Sequence, residues 1–346
     1  MAGKTTLSTI AEHLGVSTAT VSLALRDSPL VAETTRERIK KSAIEMGYIY
    51  NRRAASLRTS RSGIIGVLVH DIMNPFFAEI ILAIEDELGQ SRQTFLLCNH
   101  RDDITIQNGF IETLLQFGAD GVIISPAIGT TGDDISRIEN AGLPAVMIAR
   151  WVQGSSAPVF RGDDKQGIRI ATRHLLELGH RRIAFIGGRR ETSTGRDRRE
   201  GYLAAMREYS IEPEAAWQMG SEATRKAGYD SVRALFESGV KPTAIVCFND
   251  LVAIGVMNGL YSMGLKPGVD IAVTGYDDIA EAEIAAPALT TVWNGQQEAG
   301  RLAARAMIAT LSGAEAPRGM VLIDPVLTVR ESTCPPPGGV APGKGE

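Results

Sequence analysis

The sequence predicts an α/β protein with a small all-α head and a larger two-lobed body of doubly wound parallel sheets. Three observations carry this. Near the start, apolar residues recur at helical spacing, at Leu7, Ile10, Ala11 and Leu14. From Ser62 onward, short continuous apolar runs alternate with helix-length stretches, as buried parallel strands joined by crossover helices require. The alternation restarts after Gly162, so a second lobe of the same kind follows the first.

The head comes first. Residues 1–5 read as a flexible arm. The first helix ends at Gly15, which permits a tight bend. Ser17 follows as the N-cap of a second helix, where Val21, Ala24 and Leu25 repeat at helical spacing and pack back on the first. The opposite face carries Thr18, Ala19, Ser22 and Leu23, all uncharged. Two short helices joined by such a turn form a helix-turn-helix, whose second helix suits the DNA major groove. An ordinary αα-hairpin is the alternative from this stretch alone. After a loop at Asp27–Leu30, a third helix runs from about Glu33 to Met46 and stops at Gly47. Asn51–Arg58 favours helix behind an Asn cap, but about two turns are marginal alone in water. It should fold only when docked.

The body begins with strand-like runs at Ile64–Val69, Phe95–Cys98, Gly121–Ile124 and Ala145–Ile148. Helical stretches Pro75–Leu88, Gln107–Phe117 and Ile135–Ala141 lie between them. In the second lobe, strands are expected at Ile183–Ile186, Ala244–Cys247, Ile271–Thr274 and Thr290–Val292. Helices are expected over Gln166–Leu178, Arg198–Tyr209, Lys226–Ser238, Asp250–Met263 and Gln297–Leu311. The tail beyond Arg330 is rich in Pro and Gly and reads as disordered.

Composition narrows the function classes. The chain has 346 residues, 44% hydrophobic and 22% charged, as in ordinary globular proteins. No run nears the roughly 18 apolar residues of a membrane span, and no signal-peptide core opens the chain. No membrane association and a cytoplasmic location are therefore expected. Cys98, Cys247 and Cys334 show no CxxC and no zinc-ligand spacing. Net charge is −4, yet residues 1–61 hold ten Lys/Arg against five acids. The head is thus +5 and the remainder −9, the footprint of a phosphate-binding head on an acidic body.

In its helix-turn-helix the chain resembles the lactose/galactose repressor family. The match continues through Val31–Ile39, Met46-Gly47-Tyr48-Ile49 and Asn51–Leu57, then on to about residue 330. The family usually places a capping Ser where this chain has Ala32, so the third helix start should be weaker here. The resemblance implies a periplasmic-binding-protein-like body with a cleft between lobes that the chain crosses three times. It also implies DNA contacts from Thr6 and Leu7, from Ser17, Thr18, Ala19, Thr20, Ser22 and Leu23, and from Arg26. Asn51, Arg52, Ala54, Ala55, Leu57 and Arg58 fall in the family's hinge helix, with Leu57 at the position that wedges between base steps in the minor groove. Leu57 as a plain linker residue is the alternative. The implied boundaries are 1–50 for the head, 51–61 for the hinge, 62–161 plus 293–320 for the first lobe, 162–292 plus 321–332 for the second, and 333–346 for a disordered tail. The tail lacks the apolar heptads of a tetramerising coiled coil, so a homodimer is expected.

Ligands of open α/β sheets bind beyond the carboxyl ends of strands. There the chain has His70-Asp71-Ile72-Met73-Asn74-Pro75-Phe76-Phe77, which matches the family's Asn-Pro-Phe-Phe, and Ser125 and Arg150 follow later strands. One of Phe76 and Phe77 is expected at the ligand and one in the core. By resemblance Arg198 is the effector-binding arginine, Asn249 and Asp277 face the effector, and Trp293 follows the strand re-entering the first lobe. Carboxylate, amide and arginine suit the adjacent hydroxyls of a sugar, and aromatic faces suit its apolar side. Each residue has a plainer alternative: Asp277 capping a turn, Arg198 solvated, Trp293 simply packed.

An enzyme is disfavoured. No GxGxxG follows a strand, and there is no GxxxxGK[ST], no Gly-x-Ser-x-Gly and no HExxH. No catalytic residue, cofactor or metal is expected. The reading is a ligand-responsive transcriptional regulator, a repressor of carbohydrate-use genes, that binds double-stranded operator DNA at an inverted repeat. Family members regulating maltose or α-glucoside use are a guide to the effector. A nucleobase or nucleoside is the second reading, since the family includes such sensors. A cytoplasmic sugar-binding protein or enzyme is a distant third.

Overall fold

The structure, a computed structural model, describes residues 5–48 and 61–336. The expected hinge helix and the tail beyond Pro336 lie outside the described residues. The chain divides into two units, Met1–Ser62 and Gly63–Glu346.

The head contains α1 (Leu7–Leu14), α2 (Thr18–Ala24) and α3 (Glu33–Glu45). Thr6 and Thr9 form a capping box at the start of α1, and Gly15 closes it at φ 64°. The Ser17 hydroxyl accepts the Thr20 amide at 3.0 Å, as its cap role requires. Ala32 makes no side-chain cap, so α3 starts without one. Ile10, Ala11, Val21, Ala24, Val31, Ile39 and Ala43 form the core, with Leu23 and Leu25 packed at its margin. One sequence expectation fails here. Ser22 is buried rather than displayed beside Thr18 and Ala19. In a seven-residue helix between two partners, the apolar arc is wider than the spacing of Val21, Ala24 and Leu25 shows.

The first lobe is a six-stranded parallel sheet. Its strands are β1 (Ile64–Val69), β2 (Thr94–Asn99), β3 (Gly121–Ile124), β4 (Ala145–Ile148), β5 (Val159–Gly162) and β11 (Met320–Ile323), in the spatial order β11-β5-β4-β3-β1-β2. Its helices are α4 (Pro75–Gln90), α5 (Ile104–Gln116), α6 (Gly132–Asn140) and α12 (Gln296–Ser312). Strand residues alternate between faces with period two. Ile65, Val67, Val69, Ile123, Val146 and Ile148 meet α4 and α12. Leu68, Val122, Ile124, Ala145 and Met147 meet α5 and α6.

The second lobe repeats the plan with four strands: β6 (Ile183–Ile186), β7 (Gln218–Met219), β8 (Ala244–Cys247) and β9 (Ala272–Thr274), ordered β7-β6-β8-β9. One face is covered by α7 (Asp164–Glu177) and α8 (Ser193–Glu208), the other by α9 (Arg225–Glu237) and α10 (Asp250–Ser262). A short α11 (Ala280–Ile284) follows β9. β10 (Thr291–Trp293) pairs antiparallel with β12 (Val326–Thr328), forming a ribbon from two of the three chain crossings. Among the described residues, no helix is long and apolar enough to cross a membrane.

Several boundaries shift. Helices α5, α6 and α8 begin three to five residues before the first expected helical residue. Each start is fixed by a side-chain cap, Asp103, Thr131 and Thr192 respectively, that lies upstream of the apolar periodicity. β5 was not expected as a strand, because Arg161 interrupts its apolar run. β11 carries the first lobe to Ile323, three residues past the expected boundary at 320. The tail packs further than expected. His174 Nε2 lies 3.0 Å from the Thr333 hydroxyl, and His180 Nε2 bonds the Cys334 carbonyl at 2.6 Å.

Candidate functional site

In the head, the exposed face of α2 presents Thr18 and Ala19 beside Ser17, with Thr20 partly covered. Thr6 is exposed at the start of α1, and Leu7 packs partly on the core. Arg26 is exposed, and its Nε donates to the Ser22 carbonyl at 3.1 Å, which orients the guanidinium just beyond α2. Small side chains ringed by a cation let a helix lie close to base edges. Asn51, Arg52, Ala54, Ala55, Leu57 and Arg58 fall outside the described residues.

In the body, a cavity of about 260 Å³ opens between the lobes, beyond the carboxyl ends of their strands. The first lobe supplies His70, Asn74, Phe76, Phe77, Asp102, Arg150 and Arg161. The second supplies Asp164, Arg198, Phe248, Asn249 and Asp277, and Asn294 enters from the crossing ribbon.

Arg198 is the centre of the second-lobe wall. Its Nε donates to Asp164 Oδ1 at 2.7 Å, Nη1 to the Phe248 carbonyl at 2.7 Å, and Nη2 to Asp277 Oδ1 at 3.4 Å. The guanidinium also lies over the Tyr276 ring at 3.9 Å and the Phe248 ring at 4.4 Å. Five N–H donors serve three acceptors here, so two remain for a ligand. Burial works against its charge, but Asp164 and Asp277 hold the guanidinium pKa above its ordinary value.

Asp277 sits at φ 105°, a strained conformation for a non-glycine residue. Asn294 Nδ2 donates to its Oδ1 at 3.3 Å, and Gln296 Nε2 to its carbonyl at 3.0 Å. Both side-chain bonds use Oδ1, which leaves Oδ2 for a ligand. Burial pushes its pKa up to about 7, with Arg198 pulling the other way. On the opposite wall, burial first and Arg150 second hold His70 well below the ordinary imidazole range, so it is neutral and can accept a hydrogen bond. His70 Nδ1, Arg150 Nε and Asn294 Oδ1 are buried without a protein partner.

Of the expected residues, Asn74, Phe76, Phe77, Arg150, Arg198, Asn249 and Asp277 come together around the cavity. Asn74 and Asn249 also cap α4 and α10. Phe76 and Phe77 line the cavity and belong to the core at once, an edge-to-face pair 5.0 Å apart. Arg150 is braced by Asp102 in a two-armed ion pair, with the Pro126 carbonyl at 3.2 Å. Two expectations are corrected. Ser125 is fully buried outside the cavity, where its carbonyl meets His100 Nε2 at 2.9 Å. Trp293 does not line the cavity either. The strand alternation turns its neighbour Asn294 inward instead. Sequence reasoning missed Asp102, Arg161, Asp164 and Phe248. His70 and Asp102 do follow β1 and β2, so the strand-end rule could have found them. Asp164 was hidden because β5 itself was.

This geometry has relatives. The description "Bacterial regulatory proteins, lacI family" matches residues 6–51, and a periplasmic binding protein-like domain matches residues 172–333. The Maltose regulon regulatory protein MalI of Escherichia coli (strain K12) is 32% identical over 291 residues, covering 84% of this chain and 83% of that one. The chain belongs to the lacI family of bacterial regulatory proteins. This regulator is also 27% identical to the HTH-type transcriptional repressor PurR of Pasteurella multocida (strain Pm70), over 94% of its length and 98% of that protein's. A Lac repressor dimer, solved bound to operator and the anti-inducer ONPF, superposes with a TM-score of 0.85 at 27% identity, covering 96% of this chain and all of that one. The regulator is therefore a DNA-binding transcriptional repressor with an effector-binding body, and not an enzyme.

Proposed function

We propose that this regulator binds an inverted-repeat operator as a homodimer in the cytoplasm and answers to a sugar held in the inter-lobe cavity. One observation carries the sugar reading. Arg198, Asp277, Asn249 and neutral His70 line a cavity with many other polar and charged groups, and Phe76, Phe77 and Phe248 supply its aromatic surface. Vicinal hydroxyls donate and accept at once, so they need carboxylate, amide and guanidinium together. Phe76 and Phe77 meet at 85° and cannot sandwich a flat base between parallel planes, which favours a sugar over a nucleobase. The kinship to MalI, named for a maltose regulon, points the same way.

The mechanism is a linkage. Operator binding needs the two hinge segments of the dimer to meet, and the bodies set their spacing. A ligand that prefers one lobe arrangement shifts that spacing, so ligand and operator alter each other's affinity by the same factor. A thermal-shift panel of sugars and nucleobases on the full chain tests the assignment. Stabilisation by a sugar that also changes operator affinity is expected. Stabilisation by nucleobases alone would overturn it.

A further inference from the structure

A second cavity, of about 270 Å³, adjoins the first. Its first-lobe wall is built from the loops after β3 and β4, including Ala127, Ile128, Trp151 and Val152, and its second-lobe wall from the start of α8. Arg150 and Thr192 line both cavities, so the two meet across these side chains. We propose that the second cavity is a further sugar subsite, so that the effector is an oligosaccharide with one ring among Arg198 and Asp277 and the next against Trp151. This rests on reading the first cavity as a sugar site.

Size is the first argument. Small-molecule sites usually span roughly 300–1,000 Å³. The first cavity falls short of that range alone, and the two together lie within it. Chemistry is the second. A pyranose needs an apolar surface under its C–H face and polar groups around its edge. Trp151 with Ala127, Ile128 and Val152 supplies the surface, and Gln153, Glu191 and Arg196 the edge. The indole is held in place across the cleft: its Nε1 donates to Asp197 Oδ2 at 3.2 Å, and the Trp151 amide donates to Ser193 Oγ at 3.1 Å. Arg196 stands over the ring at 5.9 Å, near the limit of a cation–π contact, so it covers that face only loosely. The junction is the third argument. Arg150 is 7% exposed, and its Nε finds no acceptor in the protein. The Arg150 side chain, which lines both cavities, places a guanidinium where two linked rings would join.

The test is calorimetric titration of the full chain with glucose, galactose, their α- and β-linked disaccharides, hypoxanthine and guanosine, for the wild type, Trp151→Ala and Trp151→Phe. A disaccharide should bind at least tenfold tighter than its monosaccharide. Trp151→Ala should erase that margin, weakening the disaccharide far more than the monosaccharide, which loses only the indole's tie across the cleft to Asp197. Trp151→Phe, which loses the bond to Asp197 but keeps an aromatic face, should retain most of the margin. Equal affinity for one ring and two, with no effect of Trp151→Ala, would overturn the subsite and leave the sugar reading standing. Equal weakening of both ligands would show that Trp151 only ties the lobes together, and would also overturn it. Binding of hypoxanthine or guanosine with no saccharide binding at all would remove the sugar reading, and the subsite with it.

Discussion

Arg198 and Asp277 show how little freedom a functional side chain has here. Each is shared between ligand duty and the internal bonding of the second lobe. Arg198→Ala would leave Asp164 only its pair with Arg161 and Asp277 only its bond from Asn294, and should cost stability as well as binding. Asp277→Asn is the cleaner probe. It should lower effector affinity about tenfold or more and leave operator affinity unchanged, measured by calorimetry beside a gel shift. Asp277 also predicts a pH effect. Its folded pKa, about 7, lies above its ordinary value, so between roughly pH 4 and 7 the folded chain binds a proton that the unfolded chain has released. Stability through this group is therefore present at the acid end and lost as pH rises through 7. Asp277→Asn, neutral throughout, should flatten that part of the melting-temperature profile. An unchanged slope would place the charge elsewhere.

At the scale of the element, capping decides where helices begin, and close approach decides where they lie. α3 lacks the side-chain cap that Thr6 and Ser17 provide for α1 and α2. Ala32→Ser should stabilise the head by roughly 0.5–2 kcal/mol, read as slower hydrogen exchange of α3 amides in the full chain. The α7–α8 pair depends on Gly201, where an added Cβ would meet the Lys165 carbonyl at 2.2 Å. Gly201→Ala should cost roughly 1–3 kcal/mol in urea unfolding, as overpacking does, and should weaken effector binding because α8 carries Arg198. A variant with wild-type unfolding would mean that the two helices yield without penalty.

For the whole molecule, charge is divided between the parts, +5 on residues 1–61 and −9 on the rest. Operator affinity should fall steeply with salt, because the head gains by releasing phosphate counterions and the acidic body gains nothing. A two-fold dimer should bind a full inverted repeat far more tightly than a half-site. Equal affinity for the two would sink the dimer. The two cavities, each walled by both lobes, make lobe closure the quantity a ligand reads, and Trp151, Arg161 and Asp197 already bridge the lobes.

The sequence by itself determined the elements and their class. Helical spacing at Leu7–Leu14, the cap at Ser17 and apolar runs such as Ile64–Val69 are local signals, and local geometry reads them out directly. Strand-end logic and family resemblance together located Arg150, Arg198, Asn249 and Asp277. Only the tertiary structure decided which neighbours in sequence share a wall. Trp293 and Asn294 differ by one residue, yet one step along a strand reverses the side chain, and only Asn294 reaches the cavity. Asp102 and Arg150, 48 residues apart, meet beyond the carboxyl edge of the sheet although β1 and β3 lie between their strands. Ser125 follows a strand as Arg150 does, but packing buries it behind the wall. Contacts of this kind depend on sheet order and on the crossing ribbon, which no local pattern encodes.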